Sequence, residues 1–213
     1  MIGAKHEFHD EAFVQGWAAR FQPNLERLKL FQTIYAELNQ WMPANGRILE
    51  LGIGPGYLAE FLLAKMPHIQ YIGLDFSQPM LKLAQDRLAP YPTRLQLIQA
   101  DLIRDEWWRD LPQPINGIVT TWALHDLGSP QYTAQVYQAC HAILPPGGLL
   151  LDGDFIKPEQ APQQYEPGRF EIAQHLQLLQ QASFQHVECL LVLEQELKNP
   201  TSAHNYACFK AIA

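Results

Sequence analysis

The first 45 residues carry apolar side chains at steps of three and four. Phe13, Trp17 and Phe21, then Leu25, Leu28, Phe31, Ile34, Tyr35 and Leu38, follow that spacing, which is the period of an amphipathic helix. Pro23 is expected to open the second of two helices, and Trp41-Met42-Pro43 with Asn45-Gly46 to end it. From Arg47 the period changes. Short apolar runs over 48–51, 71–74, 95–99, 115–120 and 148–152 alternate with helical patterns over 57–65, 78–88 and 132–143. Alternation of this kind predicts a parallel sheet with helices on both faces.

The tail breaks the alternation. After a helix expected over 169–181, runs at 187–193 and 206–212 read as strands with only a turn around Asn199-Pro200 between them. A connection that short cannot hold a parallel crossover, so the pair is expected to be an antiparallel hairpin. The predicted fold class is α/β. It is a doubly wound, mostly parallel seven-stranded sheet with a C-terminal antiparallel hairpin, helices on both faces and two extra N-terminal helices.

Composition narrows the function classes. The 213 residues are 47% apolar and 17% charged, a globular balance with enough chain for one α/β core. Fifteen Lys and Arg against 22 Asp and Glu give a formal charge of −7 with no basic cluster. That argues against a nucleic-acid partner, which selects a basic face. Cys140, Cys189 and Cys208 have no framework spacing, as expected of reduced thiols in a cytoplasmic protein. Met1 to Glu11 shows no secretory pattern, and no run approaches the ~20 apolar residues of a membrane span.

The chemistry concentrates where the first strand meets its helix. Glu50-Leu51-Gly52-Ile53-Gly54-Pro55-Gly56-Tyr57 is a strand end, a glycine-rich turn and a helix start. Glycines there let the backbone turn sharply and a ligand approach closely. That turn lies at the carboxyl edge of a doubly wound sheet, where ligands bind. A dinucleotide fingerprint needs glycines at steps zero, two and five, but the fifth step here is Tyr57. Glu50, two residues before the first glycine, suits a ligand bearing an ammonium group better than a pyrophosphate.

This stretch resembles the first motif of class I S-adenosylmethionine-dependent methyltransferases, an acidic residue, any residue, then Gly-x-Gly-x-Gly. Further likenesses follow in order. Asp75-Phe76-Ser77-Gln78-Pro79-Met80-Leu81 is similar to the family's Asp-x-Ser-x-x-Met-Leu stretch. Ala100-Asp101-Leu102 resembles its acidic adenine corner, and Leu144-Pro145-Pro146-Gly147-Gly148 its turn before the fifth strand.

The resemblance implies S-adenosylmethionine as cofactor and S-adenosylhomocysteine as product. Asp75 would accept from the ribose hydroxyls, Phe76 and Met80 would pack on the adenine, and Asp101 with the Leu102 backbone would meet its edge. Glu50, Gly52, Gly54, Gly56 and Thr121 would complete the set. Taken singly, Asp75 and Asp101 also suit helix or turn starts, and Phe76 and Met80 also suit a plain core.

The same resemblance places an acceptor pocket between the loop after the fourth strand, the N-terminal helices and the segment after the fifth strand. The loop reads Thr120-Thr121-Trp122-Ala123-Leu124-His125-Asp126-Leu127 and lacks the Asn/Asp-Pro-Pro-Tyr/Phe sequence of enzymes that methylate base amino groups. His125 is the candidate catalytic base, or else a residue that packs a short helix. Asp126 either orients it or faces water. Trp17, Trp122, His125 and Tyr165 are the candidate substrate-binding residues. Relatives often carry a Tyr in the Trp17-to-Phe21 stretch, and Phe21 lacks that hydroxyl.

No metal is expected. Asp152 with Asp154 makes a poor hard-cation site alone, and His6, His9 and Asp10 lie at a terminus.

The expected organisation is one domain over 1–213, with a helical lid over 1–45 and a cofactor-binding core over 46–156. A short lid, helix and hairpin occupy 157–213. The expected function is direct in-line methyl transfer to a small molecule, with no membrane association and a homodimer left open. The alternatives are a non-catalytic S-adenosylmethionine-binding protein or partner subunit, and a nicotinamide-dependent oxidoreductase.

Overall fold

The structure, a computed structural model, describes residues 6–159, 161, 164–193 and 204–213. Four of the described α-helices begin where a polar side chain takes up a bare N–H. Asp10 accepts from Phe13 N and opens α1 (Glu11–Arg20). Asn24 accepts from Arg27 N and opens α2 (Leu25–Trp41). Pro23 therefore lies two residues before the helix it was expected to open, because Asn24 supplies the cap. Ser77 opens α4 (Gln78–Arg87) and Ser129 opens α5 (Pro130–Ile143), each accepting from the third residue on.

Seven strands form one sheet in the order β3-β2-β1-β4-β5-β7-β6. β1 (Arg47–Leu51), β2 (Gln70–Asp75), β3 (Leu95–Gln99), β4 (Gly117–Thr121) and β5 (Leu149–Phe155) are parallel. β7 (Tyr206–Ile212) pairs antiparallel with β5 and with β6 (Gln185–Leu193), so β7 alone runs against the others. The expected hairpin is present as a strand pair, and its turn at Asn199-Pro200 lies outside the described residues.

Alternation along each strand feeds two cores. Ile48, Tyr71, Val119 and Leu151 face α2, α3 (Tyr57–Lys65) and α4. Leu49, Leu74, Ile118 and Leu150 face α5 and α6 (Ile172–Gln181). Burial on both faces is what drives near-continuous apolar strands in a parallel sheet.

Most elements differ from the pattern by one to three residues at a boundary, and two of the shifts have a visible local cause. The fourth strand starts at Gly117 rather than 115, because Ile115 N turns to the Gln113 side chain. The sixth helix starts at Ile172 rather than 169, because Phe170 is drawn into a bridge with Ile156. A 3-10 turn over Leu124–Leu127, the short helical element weighed around His125, follows β4.

Among the described residues no helix is long and apolar enough to cross a membrane. The strand order reverses direction between β1 and β4, and the crevice outside their carboxyl ends is the ligand position of such sheets.

Candidate active site

Gly52 N and Ile53 N both donate to Leu74 O, at 2.8 and 2.9 Å, which swings the chain across the end of β2. Gly54 then takes φ +51, and a Cβ built there meets nothing within 4 Å. Its N–H donates to Asp75 Oδ2 at 2.8 Å. Ser77 N donates to the other oxygen, Oδ1, at 2.9 Å. Burial pushes the Asp75 carboxyl up to about 6, against the pull of these backbone donors.

Glu50 is buried at the end of β1 and receives Tyr71 OH at 2.8 Å. Burial raises its carboxyl to about 8, with Tyr71 opposing and the Asp75 charge adding to the rise. Two buried carboxyls thus stand beside an open glycine face.

The N-terminal segment covers them. The rings of His6 and His9 meet Phe76 edge-on at 5.4 and 5.2 Å, and Ser77 Oγ donates to Phe8 O. Phe8 packs on Trp17 at 5.3 Å, and Trp17 stacks on Phe21 at 4.6 Å. Tyr57 OH donates to Ala18 O at 2.9 Å, tying α1 to α3.

Beneath this cover lies a cavity of about 360 Å³, within the ~300–1,000 Å³ of small-molecule sites. Glu50, Gly52, Gly54, Asp75, Phe76 and Met80 line it at the ends of β1 and β2, and Thr121, Trp122 and His125 at the end of β4, with Trp17 and Leu102 also on the wall. Three expected residues do not line it. Gly56 caps α3 with φ 81. Asp101 turns its carboxylate to Ile103 N and Arg104 N at 2.9 and 3.2 Å, leaving Ala100 and Leu102 on the wall. Tyr165 is also off the wall, whereas Glu166 and Arg169 are on it.

The second end is organised around β4 and β5. Trp122, at φ 50, leaves β4 in the left-handed region, a strained conformation for so large a residue. Its N–H holds Gly153 O at 2.9 Å. His125 N and Nδ1 both meet the Asp154 carboxylate, at 2.8 and 2.7 Å, and Nε2 lies 3.3 Å from Asp126 Oδ1.

Burial disfavours a charged His125, but Asp154 and Asp126 outweigh it and the imidazole pKa is raised. Burial likewise disfavours a charged Asp154, but His125 outweighs it and the carboxyl is lowered. The ring is thus held chiefly by Asp154 from the neighbouring strand, with Asp126 at its other nitrogen. Asp152 instead receives Tyr137 OH at 2.5 Å, and burial raises its pKa. Among the described residues no group of three or more His, Cys, Asp or Glu is placed to hold a metal.

Sequence reasoning missed several wall residues: Arg27, Phe31, Phe155 and Arg169. Arg27 could be seen only as part of an amphipathic stripe, and Arg169 only as a charge near the end of a Pro- and Gln-rich stretch. Arg169 is 6% exposed and holds Glu166 with Nε at 2.7 Å. Beside it, a Cβ on Gly168 would fall 1.7 Å from His125 O.

A doubly wound sheet with a glycine turn between two acidic strand ends, and an enclosed cavity above, defines a nucleoside-binding α/β domain of the Rossmann-like class. Residues 48–148 match the family model for a methyltransferase domain. That match, over just under half of the chain, identifies a methyltransferase domain of the class I, S-adenosylmethionine-dependent type.

It is 39% identical over 64 residues to Bacillus subtilis YdaC, named an uncharacterized methyltransferase, covering 27% of this chain and 35% of that protein. It is 28% identical over 116 residues to the ubiquinone/menaquinone biosynthesis C-methyltransferase of Syntrophotalea carbinolica, covering 53% and 45%. The matched stretches thus span less than half of either relative.

In fold it is similar to phosphoethanolamine N-methyltransferase 2 of Haemonchus contortus. The TM-score is 0.77 at 14% identity, with 99% of this chain and 61% of that chain covered.

Proposed function

We propose that the chain transfers a methyl group from S-adenosylmethionine to a small-molecule acceptor by direct in-line displacement. The observation that carries this reading is a single cavity that runs from the open face of Gly54 to His125 under an aromatic cover. The donor set fits the cofactor. Asp75 can accept from vicinal hydroxyls, Glu50 can face an ammonium, and Gly54 leaves room for the chain between them.

When bound, the cofactor supplies a methyl group on a sulfonium and departs as neutral S-adenosylhomocysteine. The protein's own residues then position the acceptor and manage its proton. His125 Nε2 takes that proton, while Asp154 keeps the proton at Nδ1 and supports the imidazolium. Asp126, 3.3 Å from Nε2, favours the ring once it is protonated. The aromatic walls of Trp17, Phe31, Trp122 and Phe155 exclude water and suit a small acceptor better than a polymer. The formal charge of −7 points the same way.

Thermal melts of the chain with S-adenosylhomocysteine, NAD and ATP at millimolar concentration test the cofactor assignment. A ligand at about 100 times its Kd adds ~2.7 kcal/mol. That corresponds to roughly 5–11 °C for a chain of this size. A shift with S-adenosylhomocysteine alone is expected, and a larger one with NAD would overturn the assignment.

A further inference from the structure

Buried donors normally find acceptors inside the protein, and at the far end of the cavity two do not. Trp122 Nε1 and Arg169 Nη1 are buried without a hydrogen-bond partner among the described residues. Both side chains line the cavity. The Arg169 side chain is only 4% exposed, while its carboxylate partner Glu166 is 57% exposed. The charge of Arg169 is therefore poorly hydrated and answered at one nitrogen only, by a carboxylate that water screens.

The guanidinium is nonetheless held from one side by an aromatic ring. Its carbon lies 4.2 Å from the Phe155 ring centre. A second guanidinium on the wall, that of Arg27, lies over Trp122 at 4.9 Å. Asp154 is committed to His125. This end of the cavity therefore presents two guanidiniums and bare donors in an aromatic setting, with the Glu166 carboxylate answering Arg169 at Nε and the Asp126 carboxylate beside His125. A neutral apolar guest would leave Arg169 as unanswered as before.

We propose that the methyl acceptor carries an anionic oxygen group, a carboxylate or a phosphate, which Arg169 binds at the Phe155 wall. The inference rests on the small-molecule reading above. A planar guanidinium held against an aromatic face matches such a group better than an ammonium does. His125 packs on the same Phe155 ring at 4.9 Å. The anion and the nucleophile accordingly belong to one compact molecule, with the anion toward Arg169 and the nucleophile toward His125.

Calorimetric titration of the full chain tests this in two stages. S-adenosylhomocysteine is titrated first. Benzoate, phenyl phosphate and the neutral benzamide and benzyl alcohol are then titrated into the loaded protein. One of the two anions is expected to bind at least about tenfold tighter than its neutral counterpart, and the better anion separates carboxylate from phosphate. Arg169→Met should erase that preference with the Kd for S-adenosylhomocysteine unchanged, and Arg169→Lys should keep part of it.

Urea unfolding of empty Arg169→Met should show a midpoint equal to or above that of the parent, since an unanswered buried charge is removed. Equal binding of charged and neutral probes overturns the proposal, as does failure of both anions to bind. So does a lower urea midpoint, which would make Arg169 a structural strut. Weaker S-adenosylhomocysteine binding by Arg169→Met also overturns it, because the guanidinium would then serve the cofactor's own carboxylate. Failure of the parent chain to bind S-adenosylhomocysteine would instead bring down the cofactor assignment.

Discussion

The two ends of the cavity are built differently. At the β1–β2 end the polar groups answer one another: Asp75 holds Gly54 N and Ser77 N, and Glu50 holds Tyr71. These contacts join three short stretches, each at a strand end. At the β4–β5 end, one pair is closed between adjacent strands, His125 with Asp154, and other donors are left bare. The walls there come from α1, α2, the turn after β4 and the segment after β5. A site for a constant ligand can be closed in advance by local backbone geometry. A site for a particular acceptor is left incomplete until that acceptor arrives.

Removing the proton handling should give the largest effect on turnover. His125→Ala is expected to lower kcat by about 10²–10⁴, and Asp154→Asn by a similar order through loss of the Nδ1 partner. Single-turnover formation of S-adenosylhomocysteine measures this. Both variants should bind the cofactor as the parent does, and a parallel loss of affinity would merge the two ends into one.

The next effect breaks the other end. Asp75→Ala is expected to weaken S-adenosylhomocysteine binding at least about tenfold, since each charge-assisted hydrogen bond is worth roughly 1.5–3 kcal/mol. Gly54→Ala should do the same by putting a methyl group into the open face. Calorimetry gives the Kd, and an unchanged circular dichroism spectrum shows that the fold has survived.

A smaller effect appears in pH dependence. Burial pushes the folded Glu50 carboxyl up to about 8, against 4.5 for a free group. The folded protein therefore retains a proton that the unfolded chain has released. This contribution to stability is complete below about 4.5 and is lost progressively as pH rises to about 8. Urea midpoints of the empty protein should fall across that window, and Glu50→Gln should flatten the slope. An ammonium opposite Glu50 needs the ionised form, so S-adenosylhomocysteine affinity should rise over the same interval. A flat profile in the parent would remove Glu50 from the ligand's environment.

The smallest effect concerns the cover. Lids come from the least stable parts of a fold, so amide exchange over 6–21 should slow when S-adenosylhomocysteine is added. Equal protection with and without it would make that segment a fixed wall.

The difference between the ends also explains what was legible in the sequence. Short motifs located the glycine turn, Glu50 and Asp75 because each lies where a strand hands over to a helix or loop, inside a short stretch of recognisable residues. Tyr71 and Gly54, the partners of Glu50 and Asp75, are nonetheless 21 residues from them. The hairpin was legible because a short connection excludes a crossover. Asp101 shows the limit, because a single step along the chain decides whether Ala100 and Leu102 or the carboxylate face the cavity. Asp154 lies 29 residues from His125, and only the register of β4 with β5 brings them together. Arg169 was expected inside a helix. Pairing of Phe170 with Ile156 holds it ahead of that helix instead, on the cavity wall.

The contact between Gly168 and the carbonyl of His125 has a consequence for divergence. Any side chain at 168 would collide with the backbone that carries the imidazole. The stretch that presents Arg169 and the turn that presents His125 are thus keyed together, like two halves of one mould. New acceptor preferences cannot be grafted by exchanging either loop alone; a working transplant has to carry both, with the glycine between them kept.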